Sequence, residues 1–151
     1  MTTSPEKRHP APSSEPQAVA ERRLCGLVNG LAQQIADHVR ERAEALGLTA
    51  PQATALREMT GPMTMRELAD RMSCEPSNAT FVVDRLEKQG LVERRPHPTD
   101  RRARHLVLTE QGHALQARLL ELLEQDSPLA GLGPDQQRTL QDLLEQALIR
   151  P

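Results

Sequence analysis

Aromatic side chains are almost missing from this chain. Phe81 stands alone among 151 residues, with no Tyr and no Trp. Folds built only of strands fill their pleated faces with aromatic and β-branched residues, so this scarcity counts against a β-sandwich. Cysteine is scarce too. Cys25 and Cys74 supply no disulfide framework, and a reducing, cytoplasmic setting is the expectation. No apolar run approaches the roughly 18 residues that a membrane-spanning helix needs, so no membrane partner is expected. The opening stretch MTTSPEKRHPAPSSEP has no apolar h-region and predicts no secretory signal. Neither a Gly-rich phosphate loop nor a Gly-x-Ser-x-Gly elbow occurs. His38, His113, Cys25 and the scattered acids do not form a metal set, and no Cys/His spacing resembles a zinc motif. An enzyme, a bound cofactor and a metal site are therefore not expected.

The chain is instead rich in Leu, Ala, Glu, Gln and Arg, a composition that favours helix. Residues 1–16 are mostly Pro, Ser and charge and predict a disordered tail, because they bury too little apolar surface to offset chain entropy. From about Gln17 to Leu46 apolar residues recur at helical spacing: Leu24, Leu27, Val28, Leu31, Ile35, Val39, Ala43, Leu46. Gly47 then suits a C-terminal cap. Thr49-Ala-Pro-Gln52 reads as a capping box opening a second helix that runs to about Met59, and Gly61-Pro62 breaks it. Thr64-Met-Arg-Glu67 is a second capping box, with Met63 and Leu68 placed to staple it. A third helix follows from Met65 to near Met72. Glu75-Pro76 opens a fourth, with proline at the first helical position. It extends to Gln89, and Gly90 ends it. Glu75 is a weaker cap than aspartate would be.

Leu91–Arg95 and Arg104–Leu108 read as short strands, with Pro96, Pro98 and Asp100 marking an irregular turn. Thr109 starts a long helix through about Gln125, carrying Leu115, Leu119, Leu122 and Leu123 on one side. Gly133-Pro134 starts the last helix, striped with Leu140, Leu143, Leu144 and Leu148. The fold class expected is mainly α with a small β-hairpin. A winged helix-turn-helix over 47–112 is flanked by dimerisation helices at 17–46 and 113–151. One short chain has little of its own to cover the terminal leucine stripes. A twofold homodimer solves that problem, and its symmetry matches a palindromic operator.

Helix, helix and a basic hairpin in that order describe a module that lays one helix in the major groove of double-stranded DNA and a wing beside it. The net charge of −2 hides a segregation. Residues 84–105 hold seven Arg/Lys against four acids, whereas residues 109–151 hold three Arg against seven acids. A basic stripe beside an acidic body suits DNA on one face only. Ser77, Asn78 and Thr80, in the first turns of the fourth helix, can reach base edges and phosphates, with Phe81 and Arg85 further along. Val82, Val83 and Leu86 are expected in the core. Arg94 and Arg95 are candidates for phosphate contact, and Arg101, Arg102 and Arg104 for the wing. An arginine inserted into a narrow minor groove gains from the negative potential there. Arg101 and Arg102 both fit that place. His97 and His105 can add charge below neutral pH, or serve structurally. An acidic or apolar wing would have favoured the alternative, a winged-helix protein-interaction module.

Three ordered blocks carry a family likeness: GLTAPQATALREM at 47–59, LADRMSCEPSNATFVVDRLEKQGLVERR at 68–95, and DRRARHLVLTEQG at 100–112. On these the chain resembles the MarR (multiple antibiotic resistance regulator) family over about residues 20–150. The resemblance implies a homodimeric winged-helix regulator, usually a repressor. It also implies release by a small anionic or phenolic ligand, or by oxidation. A ligand would then sit near the first and second helices and the start of the fifth. The family's Asp-x-Arg wing signature falls on Asp100 and Arg102, which makes Arg102 the minor-groove residue and Asp100 a support of the wing. Cys25 lies where the organic-hydroperoxide-sensing branch keeps its reactive cysteine. That branch surrounds its thiolate with tyrosines, and this chain has none. Arg22 and Arg23 are adjacent in sequence. A redox-sensing repressor using Cys25 and an inert cysteine both stay open.

Overall fold

The computed structural model describes residues 14–149. Helix α1 spans Ser14–Ala45, α2 Ala50–Glu58, α3 Met65–Arg71 and α4 Pro76–Lys88. Strands β1 (Val92–Pro96) and β2 (Arg104–Leu108) precede α5 (Glu110–Glu124) and α6 (Pro134–Leu148). Most boundaries fall within a residue or two of those expected. Two differ for physical reasons. Helix α1 starts at Ser14 rather than Gln17, because Pro16 falls in the first turn, where a missing N–H has no helical partner to lose. The rest of the expected tail lies outside the described residues. Strand β1 starts at Val92 rather than Leu91. The Leu91 N–H returns to the Leu86 carbonyl and its own carbonyl accepts from Thr109, so Leu91 closes the end of α4 instead of pairing in the ribbon.

Among the described residues, 14–34 belong to one unit and 35–149 to another. Within the first, the α1 residues 16–34 include none that is buried, and Val19, Leu24, Leu27 and Val28 are exposed. Within the second, one apolar core runs from Val39 and Ala43 through Leu56, Met59, Met63, Leu68, Val83, Leu86, Val92 and Leu106 to Leu119. The end of α1 is locked by its cap. Gly47 takes φ +69°, the left-handed conformation that glycine adopts without penalty, and the Leu48 N–H reaches back to the Ala43 carbonyl.

Polar side chains finish the helix ends, where backbone groups have no helical partner. Both expected capping boxes form: Thr49 with Gln52, and Thr64 with Glu67. Gln116 of α5 donates from Nε2 to the carbonyls of Leu56 and Met59 at 2.6 and 2.8 Å, closing α2. Arg42 donates to the Leu122 and Gln125 carbonyls, and His38 Nε2 lies 2.8 Å from the Leu123 carbonyl oxygen, closing α5. Helix α6 contrasts with these elements. It contains no buried residue, and Leu143, Leu148 and Ile149 face outward.

The strands pair antiparallel, from Val92 opposite Leu108 to Pro96 opposite Arg104. Met63 bridges β2 through reciprocal bonds with Leu106, so the segment ahead of α3 serves as a third, one-residue strand. The Leu-Thr-x-x-Gly run joins the hairpin to α5. Thr109 donates to the Gly90 carbonyl at 2.6 Å and accepts from the Gly112 N–H at 3.0 Å. A Cβ on Gly112 would drive into the Leu91 carbonyl, so this glycine is required by backbone contact.

Candidate nucleic-acid interface

Helices α3 and α4 meet across the turn Met72–Glu75. Ser73 sits there at φ +54°, and the Cys74 N–H bonds to the Ala69 carbonyl. Pro76 opens α4, while Glu75 makes no side-chain capping bond. The helix is sharply two-faced. Ala79, Val82, Val83 and Leu86 are buried against α2 and α3. Ser77, Asn78, Phe81, Arg85 and Lys88 are exposed, at spacings that place them on one side of a 3.6-residue helix. Thr80 stands at the edge of that face, half-buried, and its hydroxyl donates to the Pro76 carbonyl at 2.9 Å. The hydroxyl is thus held locally rather than projecting like Asn78.

The wing turn is organised from inside by two side chains. His97 Nδ1 accepts the backbone N–H groups of Thr99 and Asp100 at 3.1 and 3.0 Å. Asp100 Oδ1 in turn accepts the Arg102 N–H at 2.9 Å. The His97 and His105 rings pack with centroids 4.2 Å apart. Arg101, Arg102 and Arg104 are exposed around this brace. Asp100 thus accepts one backbone N–H inside the turn and His97 accepts two.

Arg94 behaves differently from the wing arginines. Its guanidinium donates to Asp84 at 2.6 Å and Glu87 at 3.0 Å, both on α4. The hydrogen bond it donates to Asp84 raises its pKa above the ordinary arginine value; partial burial opposes the rise, and the Glu87 charge adds to it. Arg94 is thus engaged within the protein, tying β1 to α4. Arg95 pairs with Glu93 at 3.1 Å on the exposed side of the same strand.

A shallow groove of about 400 Å³ runs between the start of α3 and the wing, with Arg66, Arg94, Arg102 and Arg104 on its walls. Arg66 was not among the residues singled out from sequence. It lies 28 positions before Arg94, and the Met63–Leu106 bridge together with the packing of α3 on α4 and β2 brings its helix beside the wing. A second, more enclosed recess of about 290 Å³ lies between the end of α2 and the start of α5, and its lining includes Met59, Pro62, Arg95, Leu108 and His113. Cys25 is exposed on α1 in the unit that ends at Gln34, and Cys74 is half-buried.

A family model described as the MarR family matches residues 48–103. The HTH-type transcriptional repressor MdtR of Bacillus subtilis is 31% identical over 115 residues, spanning 68% of this chain and 74% of that protein. The transcriptional repressor MprA of Escherichia coli K12 is 49% identical over 47 residues, 31% of this chain and 27% of that protein. Among solved structures, a mutant MarR from E. coli complexed with operator DNA superposes with a TM-score of 0.67 at 30% identity, covering 84% of this chain and 94% of that one.

Proposed function

The chain belongs to the MarR family of transcriptional regulators, and from that premise we propose that it is a homodimeric repressor that binds a palindromic operator and releases it when a small molecule binds. One observation carries the DNA-binding reading. The exposed polar face of α4 and the exposed Arg101, Arg102 and Arg104 belong to one folded unit, as a helix in the major groove and an arginine in the minor groove require. Ser77, Asn78 and Arg85 would contact bases and phosphates. Phosphate also fits the start of α4, where no side chain caps the helix and the dipole favours an anion. Thr80 and Arg94 contribute chiefly by holding the interface in shape, and Arg95 is a peripheral phosphate contact.

The homodimer reading rests on the apolar residues left uncovered on α1 and α6, since contiguous exposed apolar patches mark interaction sites. The ligand reading rests on the recess beside α5. Arg95 and His113 supply donors there, beside the apolar walls of Met59, Pro62 and Leu108, which suits a small anion with an apolar body. We rank this ahead of thiol oxidation at Cys25, because the chain has no tyrosine to surround a thiolate.

The test is titration of the protein onto DNA flanking its own gene at a series of salt concentrations. Saturable binding to one fragment is expected, with a log–log salt slope of about −0.9 per neutralised phosphate. Equal binding to all fragments, or a binding constant indifferent to salt, would overturn the reading.

A further inference from the structure

The only aromatic side chain of the protein is on its outside. Phe81 is 61% exposed, although the core of the same helix takes Val82, Val83 and Leu86. Its neighbours on the exposed face are Ser77, Asn78, Arg85 and Lys88. That surrounding is polar, so Phe81 is no part of an apolar patch of the kind that docks another protein. Ser77, Phe81 and Arg85 follow one another at four-residue intervals, which stacks them in a single row along the helix. The Arg85 guanidinium carbon lies 4.6 Å from the centre of the Phe81 ring.

We propose that Phe81 is a specificity-determining residue that reads the 5-methyl group of a thymine in the major groove, while its ring face orients Arg85 toward the adjoining base or phosphate. The inference rests on the DNA-binding reading above and adds a chemical preference to it. A phenyl ring has no hydrogen-bond donor or acceptor to offer a base edge. The thymine methyl is the one apolar group that the major-groove edges of the four bases present. One face of the ring is taken by Arg85, and a cation held against a ring by its quadrupole has fewer orientations to lose on binding. The row then offers three chemistries in sequence: a hydroxyl at Ser77, an apolar surface at Phe81, and a planar donor fork at Arg85. Such a row would discriminate thymine from cytosine at the central position.

The experiment uses the full chain and the operator fragment found by the titration above. Thymines are replaced one at a time by uracil, which removes the methyl group and leaves every hydrogen-bonding atom in place. In the wild-type protein, uracil at one thymine of each half-site should weaken binding about fourfold, the worth of one buried methyl group. Phe81→Ala should bind more weakly overall and treat thymine and uracil alike at that position. Phe81→Leu, which keeps an apolar surface, should retain part of the discrimination. Far-UV circular dichroism should show both variants folded, as expected for an exposed site. If no single uracil affects the wild type, or if Phe81→Ala discriminates as the wild type does, the proposal is wrong while DNA binding stands. Failure of the wild type to bind any flanking fragment would overturn the DNA-binding reading and this inference with it.

Discussion

The stretch from Leu48 to Leu119 and helix α6 are made from the same leucine-striped material, yet they end in opposite conditions. In the former, Leu56, Leu68, Leu86, Leu106 and Leu119 are sealed from solvent. In α6, Leu143 and Leu148 remain exposed and no residue of the helix is buried. The α1 residues 16–34, considered alone, share the second condition. An apolar period therefore states that a helix has a face to hide and says nothing about what hides it. The central stretch completes its core from its own elements. The terminal helices carry a face that only another surface can complete, and the proposed homodimer provides it.

The sharpest way to break this contrast is to spoil the self-sufficient region. Gly112→Ala puts a methyl group into the Leu91 backbone, and Leu86→Ala hollows the core. Each should cost about 3 kcal/mol, read as a fall in the denaturant midpoint. Near wild-type stability in Gly112→Ala would show that α5 can slide off the hairpin. The next effect belongs to the other region. Leu143→Glu combined with Leu148→Glu removes two apolar side chains, each worth about 1.5–3 kcal/mol if buried by a partner. Light scattering should then report a monomer while circular dichroism stays helical. A wild-type protein already monomeric at micromolar concentration would remove the homodimer from the reading.

Smaller effects separate two arginines within the central stretch. Arg102→Ala should weaken operator binding by about 1–3 kcal/mol and leave the melting temperature unchanged. Arg94→Ala should do the reverse in kind. Its partly exposed pairs with Asp84 and Glu87 are worth about 0.2–1 kcal/mol each, so a measurable loss of stability should accompany any loss of binding. Identical behaviour of the two variants would mean that Arg94 leaves its partners to meet DNA. The smallest expected effect is at Cys25. Cys25→Ser should repress normally and respond normally to inducer. Operator release by an organic hydroperoxide in the wild type but not in Cys25→Ser would make the protein a redox switch.

The helices were legible because their ends are chemically marked. Thr49, Thr64 and Thr109 cap, Pro76 and Pro134 open, and Gly47 and Gly90 close, all by local backbone chemistry that needs no tertiary knowledge. The inward residues of α4 followed from the same periodicity. The rest depended on groups distant in sequence. The engagement of Arg94 with Asp84 and Glu87, the bridge from Met63 to Leu106, and the approach of Arg66 to the wing exist only after α3, α4 and the hairpin have packed. His97 was open between a structural and an electrostatic role, because its two backbone donors are presented only by the folded turn. Phe81 was placed on α4 beyond Thr80, but neither its exposure nor its pairing with Arg85 was read from the sequence.

The tether made by Arg94 has a bearing on how any signal must act. Only Gln89, Gly90 and Leu91 separate α4 from β1, and the ion pairs add a second attachment alongside them. Helix α4 and the base of the wing are therefore joined at two places, one covalent and one ionic. In the proposed repressor, an effector that moves one without the other has to break the pairs of Arg94, at a cost of about 0.2–1 kcal/mol each. To carry the population from almost wholly bound to almost wholly released, that effector must prefer the released form by about ten-thousandfold in affinity.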